Sequence, residues 1–108
     1  MYLWDQNFYH NRLGKGGKSL IKKMQTSGKL NNGKSIDYGL GLSVETYRGL
    51  PRISHGGSWV GFRANHMRFP DQKFTVIIFC NLGSMKPGNL AAKVAEIWIG
   101  DEMKEAKD

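Results

Sequence analysis

One short stretch of the chain holds the residue types that could carry chemistry. It runs from residue 54 to 62 and reads Ser-His-Gly-Gly-Ser-Trp-Val-Gly-Phe. His55 can exchange a proton or donate a hydrogen bond near neutral pH. Gly57 has no side chain, so a substrate backbone could pass close to the chain at that position. The residues alone leave two interpretations open: the wall of an active site, or a turn of small residues with a surface histidine.

Two patterns in the first third of the chain are similar to a phosphate-binding loop and to a serine–lysine nucleophile. Residues 14–19 read Gly-Lys-Gly-Gly-Lys-Ser, which is similar to a phosphate-binding loop. The full pattern needs a glycine where Arg12 stands and a strand before the loop, whereas a helix is predicted there. Ser19 and Lys22 match Ser-x-x-Lys, an arrangement that can activate a serine nucleophile. Because this segment is rich in lysine, that match is weak evidence of a nucleophile.

The composition is that of an ordinary soluble globular chain. Of the 108 residues, 40% are hydrophobic and 23% are charged. No stretch reaches the roughly 18 apolar residues that a membrane-spanning helix needs. No cluster of Cys, His and carboxylate residues has metal-ligand spacing, so no metal is expected. Cys80 lies in the apolar run 76–80 and is predicted to be a small buried hydrophobic residue.

The formal net charge of +7 makes nucleic acid a partner to consider. The excess comes early, from lysines at positions 15, 18, 22, 23, 29 and 34. No aromatic residue is interleaved with them, as a nucleic-acid surface usually requires. We therefore expect a solvated surface, with nucleic-acid binding as a minor alternative.

Hydrophobic spacing predicts two helices, then strands, then a helix. The first helices cover residues 3–13, with Trp4 and Phe8 one turn apart, and 18–27, with Gly28 as a left-handed cap. Strands are predicted over 38–45, 52–56 and 61–69, with a turn at Arg48-Gly49 and a loop over 57–60. The apolar run 74–81 predicts a central strand covered on both faces.

The closing helix is predicted from Pro87 to Gly100. Its apolar side would consist of Leu90, Ala91, Val94, Ile97 and Trp98. The fold class is therefore α+β: an antiparallel sheet of about four strands with helices packed on it. Residues 101–108 are expected to form a charged, frayed tail.

Several short patterns follow one another in a specific order. Tyr-Gly-Leu-Gly at 38–41 is followed by His-Gly-Gly-Ser at 55–58, Gly-Phe at 61–62 and Phe-Pro-Asp at 69–71. An apolar strand then ends in Asn81 before a helix. This order and spacing resemble the C-terminal part of serine β-lactamases and penicillin-binding proteins, especially class C β-lactamases and their peptidase and esterase relatives. The resemblance covers essentially the whole chain, so residues 1–100 are expected to form a single partial domain of that fold.

The resemblance implies roles for four residues. His55, Gly56 and Gly57 fall where the family has its Lys-Thr-Gly or His-x-Gly motif, on the strand that edges the active site. His55 and Ser58 are implied to be catalytic, with the backbone N–H of Ser58 in the oxyanion hole. Gly56 and Gly57 are implied to bind substrate. Gly56 stands where many β-lactamases carry a hydroxyl, so a peptidase, an esterase or another hydrolase is at least as well supported.

The family's nucleophilic Ser-x-x-Lys lies far upstream, and a Tyr-x-Asn or Ser-x-Asn motif follows it. Ser19 is only 36 positions before His55, in the wrong element, and no suitable second motif precedes His55. The chain is therefore expected to be inactive alone and to have as its partner the missing N-terminal part of the same fold. The parent would act on a small-molecule or peptide acyl substrate without a cofactor.

The resemblance also predicts where the chain works and what it contacts. The parent would be periplasmic or otherwise extracytoplasmic, although this piece shows no signal peptide and no membrane segment. Without its neighbouring strands, the last strand would leave an open sheet edge, so a homo-oligomer is expected. Trp4, Phe8 and Trp59 are expected to be exposed on the surface that would meet the missing part. The alternative from another class is a non-catalytic binding or scaffolding module.

Overall fold

The computed structural model describes residues 1–11 and 14–104. These residues form an α+β fold, as predicted, with three α-helices and a four-stranded antiparallel sheet of order β1-β2-β3-β4. The helices are α1 (Tyr2–His10), α2 (Gly17–Met24) and α3 (Pro87–Ile99), and a 3₁₀ turn follows at Gly100–Glu102. The strands are β1 (Ser43–Tyr47), β2 (Leu50–Trp59), β3 (Phe62–Phe69) and β4 (Phe74–Cys80). No helix in this described part is both long and apolar enough to cross a membrane.

The chain divides into two compact units, Met1–Val44 and Glu45–Asp108. In the first unit, α1 ends at His10 because Asn11 is left-handed and donates its N–H to the Asn7 carbonyl. The predicted end at residue 13 lies outside the described residues. The Trp4 and Phe8 rings pack edge to face, with centroids 5.7 Å apart. Trp4 is exposed, but Phe8 is buried, so the prediction of a bare Phe8 is wrong.

Helix α2 is also shorter than predicted. It ends at Met24, and Gln25 closes it by donating its N–H to the Ile21 carbonyl. Gly28 is not a left-handed cap, and its N–H donates to the Tyr38 carbonyl at 2.8 Å. Ile21 is buried, whereas Leu20 and Met24 on the same helix are half-buried. The six early lysines are all exposed, as a solvated surface requires.

The predicted strand over residues 38–45 is wrong in its first half. Tyr38 forms an isolated antiparallel bridge with Ser43, residues 40 and 41 form a bend, and the strand begins at Ser43. Leu40 donates its N–H to the Met24 carbonyl at 3.1 Å, which holds this segment against the end of α2. A Cβ at Gly39 would lie 2.3 Å from the Met24 carbonyl oxygen. The glycine is therefore needed for close backbone approach rather than for a strand.

Left-handed residues stand at each hairpin turn of the sheet. Arg48 and Gly49, with φ of 47° and 88°, form the predicted turn between β1 and β2, a geometry that matches the twist of paired strands. Val60 and Lys73, each with φ of 51°, stand at the next two turns. The loop predicted over 57–60 is wrong, because β2 continues to Trp59.

Strand β4 forms one edge of the sheet in the described residues. It pairs with β3 alone, so the prediction of a central strand with two covered faces is wrong. Phe79 is 71% exposed. Cys80, predicted to be buried, is half-buried. Val76 joins the core on one face of β4, whereas on the other face Thr75 and Ile77 are half-buried and Phe79 is exposed.

Helix α3 packs on the sheet through its small residues. Ala91, Ala92 and Ala95 lie in one cluster with Met67 and Phe69. The predicted start at Pro87 is confirmed, and the helix ends one residue before Gly100. The predicted apolar side is right for two of its five residues: Ala91 and Val94 contact the core, whereas Leu90, Ile97 and Trp98 are exposed. Methyl side chains let a helix lie close to a sheet, which turns the larger residues outward.

Polar and charged side chains connect α3 to the β1–β2 hairpin. The Tyr47 hydroxyl donates to Glu96 Oε1 at 2.5 Å, and Arg48 lies 3.4 Å from the same oxygen. The hydrogen bond to Glu96, helped by burial, raises the pKa of Tyr47 above its usual 10.0. The hydroxyl therefore stays protonated and keeps donating throughout the neutral range. Arg52 lies over the Tyr47 ring at 4.5 Å and donates to Glu45 at 2.6 Å.

The described part of the C-terminal tail is not frayed. Lys104 donates its N–H to the Arg48 carbonyl at 2.7 Å, and Arg48 Nε donates to the Lys104 carbonyl at 2.7 Å. The frayed-tail prediction is therefore wrong up to Lys104. The rest of the predicted tail, residues 105–108, lies outside the described residues.

Candidate active-site wall

The second half of β2 carries all four residues singled out in the sequence. His55, Gly56, Gly57 and Ser58 are consecutive in the strand, and residues 55–59 are all exposed. Strand β1 has five residues and β2 has ten, and the two are joined by a tight turn. β1 therefore accompanies only the first half of β2. On that side, the backbone of residues 56–59 is an open strand edge within the described chain.

Strand alternation divides the four residues between two faces of the sheet. His55 and Gly57 share one face, and Gly56 and Ser58 share the other. The structure therefore does not bring the four side chains to a single point. Gly56, Gly57 and Ser58 share the open backbone edge next to His55, which an extended ligand could approach along its length.

The face of Gly56 and Ser58 borders a pocket of about 340 Å³. Asn65 lies opposite Gly56 and Arg63 opposite Ser58 in the strand register, and both line this pocket. The Asn65 Oδ1 atom is buried and has no hydrogen-bond partner among the described residues. A Cβ on Gly56 would stand 3.7 Å from Asn65 Nδ2, an ordinary contact. Space alone therefore does not require glycine at position 56.

The face of His55 and Gly57 is apolar near the β2–β3 turn. A hollow of about 300 Å³ is lined by residues that include Gly57, Trp59, Phe62, Ala64 and Phe79. Trp59 pairs with Phe62, and Ala64 stands between Gly57 and Phe79 in the register. Trp59 is 78% exposed. Because removing apolar surface from water is favourable, this hollow can accept an apolar group.

His66 stands directly opposite His55 in the β2–β3 register. Residues opposite each other lie on the same face, with Cβ atoms roughly 4.5–5.5 Å apart. His66 is only 7% exposed, whereas His55 is exposed. The sequence alone does not reveal that these two histidines are neighbours, because cross-strand pairs become visible only when the register is known. His10 is exposed at the end of α1.

Ser19 and Lys22, the pair that matches Ser-x-x-Lys, lie in α2 of the first unit. Both residues are exposed. A serine–lysine nucleophile needs a lysine activated by a desolvated or cationic setting, and exposure to water provides no desolvation. Within residues 1–11 and 14–104, no three side chains of His, Cys, Asp or Glu come together as a metal site.

Comparison with known proteins gives local matches. No protein-family model matches the chain. A D-aminopeptidase of Cereibacter sphaeroides is 41% identical over 49 residues, which are 45% of this chain and 10% of that protein. Penicillin-binding protein 4* of Bacillus subtilis is 39% identical over 54 residues, which are 49% of this chain and 12% of that protein. The matched segments thus span about a tenth of the length of these curated relatives. These local matches support a β-lactamase or DD-peptidase-like family for the matched part of the chain.

Proposed function

We propose that residues 55–58 form one wall of the acyl-transfer site of a serine hydrolase. The observation that supports the proposal is the edge of β2 beyond the end of β1, where Gly56, Gly57 and Ser58 are exposed next to the exposed His55. An extended substrate can add to such an edge through main-chain hydrogen bonds. Because Gly56 and Gly57 have no side chains, the substrate backbone can approach β2 closely at these positions.

Each of these residues has a chemical role in the proposed reaction. The backbone N–H of Ser58 stabilises the oxyanion that develops when a serine attacks the acyl carbonyl. His55 donates a hydrogen bond or transfers a proton at the same edge. The nucleophilic serine belongs to a part of the protein outside these 108 residues, because Ser19 and Lys22 are exposed on α2, where water provides no desolvation of the lysine. The reaction needs no cofactor.

The substrate is best described as a small peptide or an ester with an acyl group. The relatives with local similarity are named D-aminopeptidase and penicillin-binding protein, which favours a peptide-type substrate. Gly56 provides no hydroxyl to hold a substrate carboxylate, which disfavours a dedicated β-lactamase. The apolar hollow beside Gly57 is suited to an apolar substituent on the acyl group.

Replacing His55 in the whole protein that contains this chain tests the proposal. His55→Ala is expected to lower kcat/KM for an acyl substrate by roughly 10- to 1000-fold, the range for a positioned acid–base or hydrogen-bonding group. His10→Ala is the matched control, because that histidine is exposed on α1. His66→Ala is unsuitable as a control, since His66 is the cross-strand neighbour of His55. Equal kcat/KM in the His55 and His10 variants would contradict the proposal.

A further inference from the structure

The side chain of Asn65 lies beside one of the two glycines of the candidate wall. Asn65 is directly opposite Gly56 in the β2–β3 register, so both residues belong to the same face of the sheet. The Oδ1 atom of Asn65 is buried. Its Nδ2 atom lies 3.7 Å from the place that a Cβ on residue 56 would occupy. The hydrogen-bond donor of this amide is therefore next to the position where Gly56 has no side chain.

A second glycine borders the same amide from α3. Gly88 is in the first turn of that helix, and a Cβ on it would stand 3.5 Å from Asn65 Nδ2. Gly56, Gly88 and Asn65 all line the pocket of about 340 Å³ described above. Because neither glycine has a side chain, an atom of a ligand in this pocket can come close to Nδ2.

The charge of this pocket is positive. Arg63 is among the described residues that line it, and no aspartate or glutamate is. Arg63 is held at the β2–β3 turn, where its Nη1 atom donates to the Val60 and Phe62 carbonyls. Those two bonds leave the Nε and Nη2 donors of the guanidinium for a ligand. A guanidinium and an amide N–H together favour a carboxylate, because hydrogen bonds to a charged acceptor are the stronger ones.

We infer that Asn65 is a specificity residue that binds a carboxylate of the substrate, with Arg63 as the charged second contact. The inference rests on the proposed function, because the pocket adjoins Gly56 and Ser58 of the candidate wall. The two side chains are two positions apart on β3, about 7 Å along the strand, so one carboxylate can contact both. Asn65 thus supplies from β3 the donor that Gly56 lacks on β2. The substrate class narrows to acyl compounds that carry a carboxylate close to the bond that is cleaved.

Two esters that differ in one group test this inference in the whole protein that contains the chain. Both have an N-acetylalanyl acyl group, and the leaving group is either lactate, which has a carboxylate, or lactamide, which is uncharged. We expect kcat/KM to favour the lactate ester by at least about tenfold, because the carboxylate makes charge-assisted hydrogen bonds. Asn65→Leu is expected to remove most of this preference. Since leucine also removes the buried, unpaired Oδ1 atom, thermal unfolding should show no loss of stability.

Gly56→Ser in the Asn65→Leu background tests whether the position of the donor is what matters. Gly56 is not among the glycines with positive φ, so serine fits its backbone. The new hydroxyl is expected to restore part of the preference for the lactate ester. Asn81→Leu is the matched control, because Asn81 is exposed and is not among the residues that line the pocket.

The outcomes separate this inference from the proposed function. An unchanged preference in Asn65→Leu would overturn the inference, as would an equal loss in Asn81→Leu. Hydrolysis of both esters with equal kcat/KM by the unaltered protein would overturn the inference and leave the proposed function standing. Hydrolysis of neither ester would contradict the proposed function itself, and the inference with it.

Discussion

The isolated 108-residue chain is expected to remain unlabelled by reagents that acylate or phosphonylate serine hydrolases. An oxyanion-hole donor and a histidine without a nucleophile cannot form the covalent intermediate. Ser19, the serine that matches Ser-x-x-Lys, is exposed on α2 together with Lys22. The chain should be incubated with a fluorescent penicillin and a fluorophosphonate, and its intact mass should then be measured. The expected mass equals that of the untreated chain.

Ser19→Ala and Ser58→Ala are the informative variants if label does appear. Stoichiometric label that Ser19→Ala abolishes would show that α2 carries an active nucleophile after all. Label lost only in Ser58→Ala would mean that the side chain of Ser58 reacts, whereas the proposal uses its backbone N–H. Either result would contradict the assignment of the nucleophile to another part of the protein.

Gly39→Ala is expected to destabilise the first unit by about 3 kcal/mol, at the upper end of the range for overpacking. The new Cβ would lie 2.3 Å from the Met24 carbonyl oxygen and 2.9 Å from that of Thr26. Both are backbone atoms, so no flexible side chain can move aside. The clash would break the bonds that hold residues 38–41 against the end of α2. Denaturant unfolding and amide exchange of residues 24–42 measure the loss.

Gly100→Ala is the matched control for this substitution. Gly100 has an ordinary helical φ of −58°, and a Cβ there would meet nothing within 4 Å. Alanine at a compatible site leaves stability unchanged or raises it slightly, because the unfolded chain loses freedom. Wild-type stability of Gly39→Ala would show that residues 38–41 do not pack as described, and that the glycine serves another purpose.

The sheet was predictable from the sequence because its signals are local. The turn at Arg48-Gly49 joins two residues that can occupy left-handed conformations, and the Pro70–Lys73 turn separates two apolar runs. The strand prediction is wrong over residues 38–41, although their alternation of apolar residues and glycines is typical of a strand. The conformation of this segment depends instead on close contact between Gly39 and the end of α2, which no local pattern records.

The orientation of α3 could not be read from hydrophobicity alone. The most hydrophobic side of the helix includes Ile97 and Trp98, yet both are exposed. Ala91 and Ala95 are fully buried instead. How closely the helix approaches the sheet decides which residues are covered, and that distance depends on the side chains of both layers. The hydrophobic periodicity of the helix describes the helix layer alone and not the sheet.

The sequence predicts which residues of β2 belong to the candidate site, but not which residues of β3 lie opposite them. Residues 55–58 follow from their types and order. Their neighbours Arg63, Asn65 and His66 depend on the register, which is set by the turn after Trp59. That turn places Val60, a β-branched residue, at a left-handed φ of 51°, an uncommon choice that a sequence pattern does not indicate. The error in the predicted length of β2 therefore hid the polar residues opposite Gly56 and Ser58.

Photocrosslinking of a bound acyl group tests whether residues 55–58 of β2 form a wall of the acyl-transfer site. The whole protein that contains this chain should be acylated by a penicillin or D-amino acyl ester that carries a diazirine, irradiated and digested with trypsin. Arg52 and Arg63 flank the candidate wall, so one tryptic peptide covers residues 53–63. We predict that the acyl group is attached to a serine outside these 108 residues and crosslinked to peptide 53–63. Crosslinks confined to residues 1–24, with peptide 53–63 unmodified, would contradict the assignment of β2 as the wall of the site.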